Sequence, residues 1–118
     1  MTKKSAIKLS KEELKEKTLA SLSQVLDAKF LTALSEPSRV DLLKQVIRME
    51  RADISQLSEK SSLDRSVISR HLNILFEAGI LGRIKEGRQM FYFLNPTEAI
   101  RKLRLILENM EEIIRSCC

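Results

Sequence analysis

The stretch Asp53-Ile54-Ser55-Gln56-Leu57-Ser58-Glu59-Lys60-Ser61-Ser62-Leu63-Asp64-Arg65-Ser66-Val67-Ile68-Ser69-Arg70-His71-Leu72-Asn73-Ile74-Leu75-Phe76-Glu77-Ala78-Gly79 decides the fold. Asp53 with Gln56 three residues on is a capping box, in which each side chain satisfies an orphan backbone N–H at a helix start. A first short helix therefore begins there, and Ser61-Ser62-Leu63-Asp64 reads as the turn after it. Asp64 is the expected cap of a second helix from Arg65 to Ala78. Gly79 stops that helix in the left-handed conformation that glycine adopts without steric cost. Ile68, Leu72 and Leu75 fall at i, i+4 and i+7 and predict the face turned to a core. Two helices joined this way form a helix-turn-helix over 53–78, whose second helix suits the major groove of DNA.

Working outward, Leu81 to Phe93 reads as a basic β-hairpin with a tip at Glu86-Gly87. Gln89, Phe91 and Phe93 alternate with Met90, Tyr92 and Leu94, so one side of the ribbon is expected to pack and the other to stay wet. Upstream, Ser35-Glu36-Pro37 precedes a helix to about Arg48 whose buried face is expected at Val40, Leu43, Val46 and Ile47. Ser10 with Glu13 is a further capping box, opening a helix with Leu14, Leu19, Leu22, Val25 and Leu26 near one stripe. Asn95-Pro96-Thr97-Glu98 starts the last helix, which carries Ile100, Leu103, Ile106, Leu107, Met110, Ile113, Ile114 and Cys117.

At 118 residues the chain is expected to be one domain, 1–118, mainly α with a small β-hairpin: a winged helix-turn-helix. Its parts are a loose arm at 1–9, terminal helices at 10–28 and 96–117, the helix-turn-helix at 53–78 and the wing at 80–94. Residues 30 to 94 already supply a core, so the long apolar stripes on the terminal helices predict dimerisation. Twenty-one Lys+Arg against 16 Asp+Glu give a net charge of +5, which favours a polyanionic partner. An aromatic content of 4% argues against a base-stacking platform for single strands. No run approaches 18 apolar residues, which predicts no membrane partner, and no secretory signal is legible. One His and two adjacent Cys write no zinc signature and no disulfide framework. Neither a phosphate-cradling glycine loop nor a nucleophile elbow is present. The expectation is a cytoplasmic protein that is not an enzyme and takes neither cofactor nor metal.

The outward set on the second helix is Arg65, Ser66, Ser69, Arg70 and Asn73, and the hairpin adds Arg83, Lys85 and Arg88, with Glu86 opposing them. Arginine donates twice to guanine O6 and N7, and small serines allow close approach to backbone and base edges. These eight residues are the candidate contacts to double-stranded DNA. His71, the only histidine, is read as a partly buried or backbone-bonded residue and not as a ligand.

Ala33-Leu34-Ser35-Glu36-Pro37-Ser38-Arg39, Val67-Ile68-Ser69-Arg70-His71-Leu72, Glu77-Ala78-Gly79-Ile80-Leu81 and the wing from Arg83 to Tyr92 together resemble the ArsR-type family of small bacterial winged-helix repressors. The resemblance covers roughly Phe30 to Pro96 and implies a dimer joined through its terminal helices, binding an operator and repressing transcription. It also implies DNA contacts at Arg65, Ser66, Ser69 and Arg70. Metal-sensing members carry thiolates where this chain has Asp53 and Ser55, and others use His on the last helix, which has none here. Both familiar metal sites are therefore expected to be missing. Cys117 and Cys118 remain a candidate thiol sensor for arsenite, persulfide or oxidant, beside the plainer reading of a terminal thiol pair without sensory use. The inducer is not legible. The function expected is a sequence-specific, homodimeric repressor on an inverted repeat. The alternatives are a winged-helix protein–protein interaction module and a non-specific architectural DNA binder.

Overall fold

The helices that begin at Lys11, Pro37, Ile54 and Pro96 start where a side chain takes up an orphan N–H. A computed structural model of the chain describes residues 10–25 and 28–117. The arm expected at 1–9 lies outside the described residues, as do Leu26, Cys118 and the side chains of Val25 and Cys117. Ser10 and Glu13 exchange both capping-box bonds, at 2.9 and 3.0 Å, and open α1 (Lys11–Val25). The short α2 (Ala28–Ala33) buries Phe30 and Ala33. Glu36 caps α3 (Pro37–Met49) by accepting from the Ser38 N–H, with Pro37 in the first turn, where its missing N–H leaves no bond unmade.

Asp53 and Gln56 close the expected capping box on α4 (Ile54–Glu59), at 2.8 and 2.9 Å. Asp64 stands at the N-cap of α5 (Arg65–Glu77) but its carboxylate makes no capping bond, against the expectation. Gly79, at φ +82°, turns the chain out of α5, and a Cβ there would meet Glu98 Cγ at 2.8 Å. β1 (Leu81–Glu86) and β2 (Gln89–Leu94) pair antiparallel from Leu81↔Leu94 to Glu86↔Gln89. The turn residues are therefore Gly87 and Arg88, one position beyond the expected tip, with Gly87 at φ +64°. Asn95 Oδ1 accepts from the Glu98 N–H at the start of α6 (Pro96–Cys117).

The chain falls into two compact units. The larger, residues 27–100, holds the helix-turn-helix and the hairpin around Val46, Ala52, Leu57, Ile68, Leu72 and Leu75, all fully buried. Ala52 bridges β2 through two backbone bonds with Tyr92, at 3.0 and 2.8 Å, and so fixes the hairpin beside α4. Two expectations need correction here. The buried stripe of α3 is Arg39, Leu42 and Val46: Val46 is buried as expected, Val40 and Leu43 are only half-buried, and Ile47 is exposed. Beyond the exposed Gln89 neither side of β2 stays wet: Met90, Phe91, Phe93 and Leu94 are all partly covered. Phe93 lies across Gly82, where a Cβ would come within 2.6 Å of its ring, so the glycine makes room for that ring.

The smaller unit joins α1 to α6 beyond Ile100. Thr18 and Ser116 are buried there and return their hydroxyl protons to the carbonyls four residues back. Ile100, Leu103, Leu107, Met110 and Ile114 on α6 are 50–60% exposed. Their spacing of three, four, three and four residues is the a/d seam of a coiled coil and narrower than a core-facing helix surface.

Candidate nucleic-acid interface

Burial of Ile68, Leu72 and Leu75 sets the rotation of α5 and leaves Arg65, Ser66, Arg70 and Asn73 exposed, with Ser69 half-covered among them. The helix thus presents Ser66, Ser69, Arg70 and Asn73 as a polar stripe at three-to-four-residue intervals. Arg65 Nη2 donates to Ser55 Oγ at 3.0 Å, which braces its guanidinium against α4. Arg65 and Arg88 both line a cleft of ≈ 230 Å³, together with Asp53, Ser55 and Gln89. Asp53 adds no free charge there: one oxygen caps α4 and the other accepts from Gln89 Nε2 at 2.8 Å. This second bond ties the wing to the helix-turn-helix at the positions compared above with thiolate ligands.

On the wing, Lys85, Arg88 and Arg83 are all exposed, and Arg83 is also braced by a ring. Its guanidinium stacks 3.9 Å above the Phe76 ring at the end of α5. Glu86 does not oppose the wing cations, because Arg51 takes it in a two-pronged ion pair. That pair holds the Glu86 carboxyl below the usual carboxylate range. Arg51 also lies 4.0 Å over Phe91, so the hairpin is pinned from the α3–α4 connection. The sequence reading missed Arg51; its position two residues before a capping Asp carried no signal for a contact 35 residues away.

Beneath the polar stripe runs a buried relay. His71 is 6% exposed, and its Nδ1 accepts from Arg39 Nε at 3.2 Å. Nδ1 is therefore unprotonated, and the neutral ring carries its hydrogen on Nε2, facing Ser38 Oγ at 3.4 Å. Ser38 Oγ passes its own proton to Glu36 Oε1 at 3.2 Å. Arg39 further donates to the carbonyls of Thr32 and Ala33, at 2.9 and 3.4 Å. One guanidinium thus joins the end of α2, the start of α3 and the centre of α5. His71 is bonded to side chains and not to backbone, as the sequence reading had offered.

Burial first, then the charges of Arg39 and Arg70, lower the His71 pKa below its ordinary value near 6.5. The unfolded chain then binds the proton more readily than the folded one, so stability falls as pH drops from the ordinary histidine value through the lowered one. Urea unfolding at pH 7.5 and 5.5 should show a lower midpoint at 5.5, and His71→Gln should shrink that difference. An unchanged difference would remove His71 as its source.

Among the described residues no three or more His, Cys, Asp or Glu side chains gather to hold a metal ion. No helix among them is long and apolar enough to cross a membrane.

The family profile of bacterial regulatory proteins of the arsR family matches residues 36–82, from the N-cap of α3 into β1. A solved structure of a possible transcriptional regulator for arsenical resistance is 30% identical, with a TM-score of 0.59, over 75% of this chain and 93% of its own. The chain belongs to the ArsR family. An ArsR-like transcriptional regulator from Rhodococcus sp. RHA1 shares this ArsR-family fold with a TM-score of 0.68 and 27% identity, over 84% of this chain and 88% of that one. An uncharacterised helix-turn-helix transcriptional regulator of Mycobacterium tuberculosis is 30% identical over 67 residues, 57% of this chain and 59% of its own length. The match thus spans about three fifths of that curated relative. The ArsR family is one of transcriptional regulators, not of enzymes.

Proposed function

We propose that this ArsR-family chain is a cytoplasmic, sequence-specific DNA-binding repressor that acts as a homodimer on an inverted-repeat operator. The observation that carries the reading is the polar stripe Ser66, Ser69, Arg70 and Asn73 on α5. Small hydroxyl residues beside an arginine let a helix approach base edges closely, and Arg70 has the donor geometry for guanine. Arg65, Lys85 and Arg88 are assigned to phosphates on either side, where position and not sequence is read. Arg83, stacked on Phe76, serves the phosphate backbone through its charge more than through a directed bond. Blocking polymerase requires only occupancy of the site, which favours repression over activation.

The homodimer is assigned to the α6 seam. Ten half-exposed apolar side chains, five from each copy, release about 1 kcal/mol each on burial. The sum of about 10 kcal/mol is of the size that association costs, about 4–15 kcal/mol. The seam is therefore sufficient for a dimer when flanking contacts add to it. Two recognition helices held one DNA turn apart then read two half-sites.

Selection of duplexes from a random pool, at fixed near-physiological salt with non-specific competitor, tests the reading. Enrichment of an inverted repeat with half-sites about one helical turn apart is the expected result. Binding that enriches nothing and collapses with salt would make the protein an architectural binder. No binding at all would leave the protein–protein interaction module. On the selected site, Arg70→Ala should cost about 1–3 kcal/mol and relax preference at one base position in each half-site. Equal loss on selected and random duplexes would make Arg70 a phosphate contact instead.

A further inference from the structure

A second polar cleft, of about 400 Å³, lies between α3 and the turn that joins α4 to α5. Asp41, Lys44 and Arg48 line it from α3, at spacings of three and four that put them along one side of the helix. Lys60, Ser61 and Ser62 face them from the turn. The side chains of Lys44, Arg48 and Lys60 make no ion pair with any acid among the described residues. This sets them apart from Lys15, Arg51 and Arg115, which are paired with Glu12, Glu86 and Glu112. Three cations from two elements share one concavity with a single carboxylate. Their mutual repulsion is relieved by an anion that sits among them.

We propose that this cleft binds a small phosphorylated molecule carrying at least two negative charges. Lys44, Arg48 and Lys60 neutralise the phosphate, and the Ser61 and Ser62 hydroxyls donate to its oxygens. Asp41 restricts the ligand further. It repels a uniformly anionic molecule and accepts from a hydroxyl or amino group next to the phosphate, as in a phosphorylated polyol. The volume falls in the range of small-ligand sites, about 300–1,000 Å³, and exceeds what a lone phosphate fills. A duplex backbone is a poorer occupant, because it meets protein as a convex ridge and offers Asp41 no donor. Ser38 also lines the cleft, and its hydroxyl is the link between Glu36 and His71. An occupant therefore lies within reach of the relay that ends inside α5.

The binding claim is independent of the DNA-binding reading, and its first test uses no DNA. The ¹⁵N-labelled full chain is titrated with inorganic pyrophosphate against sodium chloride of equal ionic strength. Saturable amide shifts centred on residues 41–48 and 60–63 are expected with pyrophosphate and not with chloride. Replacing Lys44, Arg48 and Lys60 together by glutamine should weaken pyrophosphate binding at least ten-fold, and Asp41→Asn should tighten it. All four side chains are exposed, so the variants should unfold at the wild-type urea midpoint, which checks the fold directly. Shifts that follow ionic strength alone, or that centre on the start of α5 and the wing, would overturn the proposal. So would a triple variant that binds pyrophosphate as the wild type does. The proposal also falls if pyrophosphate fails to saturate while the triple variant lowers the salt slope of duplex binding by about three. The cations would then belong to the DNA backbone.

Discussion

Replacing Leu103 and Leu107 together by aspartate is expected to leave the protein monomeric, breaking the homodimer proposed above, and to remove high-affinity binding to the selected operator. Both side chains lie mid-seam on α6 and are more than half exposed in the single chain, at 53% and 58%. The substitution leaves the core of residues 27–100 untouched, because neither residue belongs to that unit. It removes about 1 kcal/mol of apolar burial per side chain, four in the dimer, and places four carboxylates against each other in a narrow seam. Sedimentation equilibrium would show the mass halved at micromolar protein. A monomer holds one half-site, so the loss on a two-half-site duplex should exceed a hundred-fold, while the far-UV spectrum stays that of a helical protein. A variant that stays dimeric would place the dimer contact somewhere other than this seam.

Arg39→Ala is expected to lower stability by about 2–4 kcal/mol, a shift of roughly 10–15 °C in Tm for a chain of this size. The cause is more than three lost bonds. Without the guanidinium, the Ala33 carbonyl and His71 Nδ1 lose their donor, the latter buried in the core of the helix-turn-helix, while the Thr32 carbonyl keeps the Ser35 N–H and hydroxyl. Arg39→Met keeps most of the aliphatic stem yet supplies none of those protons, so it should recover only the packing part. Thermal and urea unfolding of the two variants separate the contributions. An alanine variant within about 0.5 kcal/mol of wild type, the scale of an ordinary surface change, would show that water replaces the arginine at no cost.

Arg39 also shows where sequence reading stops. Elements were legible wherever local chemistry writes them. The capping boxes at Ser10 and Asp53, the proline after Glu36 and the left-handed Gly79 placed the starts and stops of helices within a residue or so. The α5 face was legible too, because three large apolar residues at helical spacing leave one choice of rotation. On α3 the same logic held at Val46 and slipped around it. A stripe of Val40, Leu43, Val46 and Ile47 keeps every arginine in water, whereas the actual stripe buries Arg39 and satisfies it with partners far away in sequence. A periodicity argument prices charge as a surface property and cannot foresee a donor network across 32 residues. Glu86 was misread for the same reason: its partner, Arg51, lies outside the hairpin. The polar stripe on α5 needed no such knowledge, and it is what the functional reading rests on.

Arg39 and His71 also act as one heritable unit. Losing the arginine leaves a buried acceptor with no donor, and losing the imidazole leaves a buried guanidinium edge with no acceptor. Whichever residue goes first bears the cost of the bond between them, and the second substitution adds only the Arg39 bonds to α2 or the His71 packing, so a double-mutant cycle should be non-additive. A lineage that drifts at one of these positions is then free to drift at the other, and the two residues should be kept together or lost together as such chains diverge.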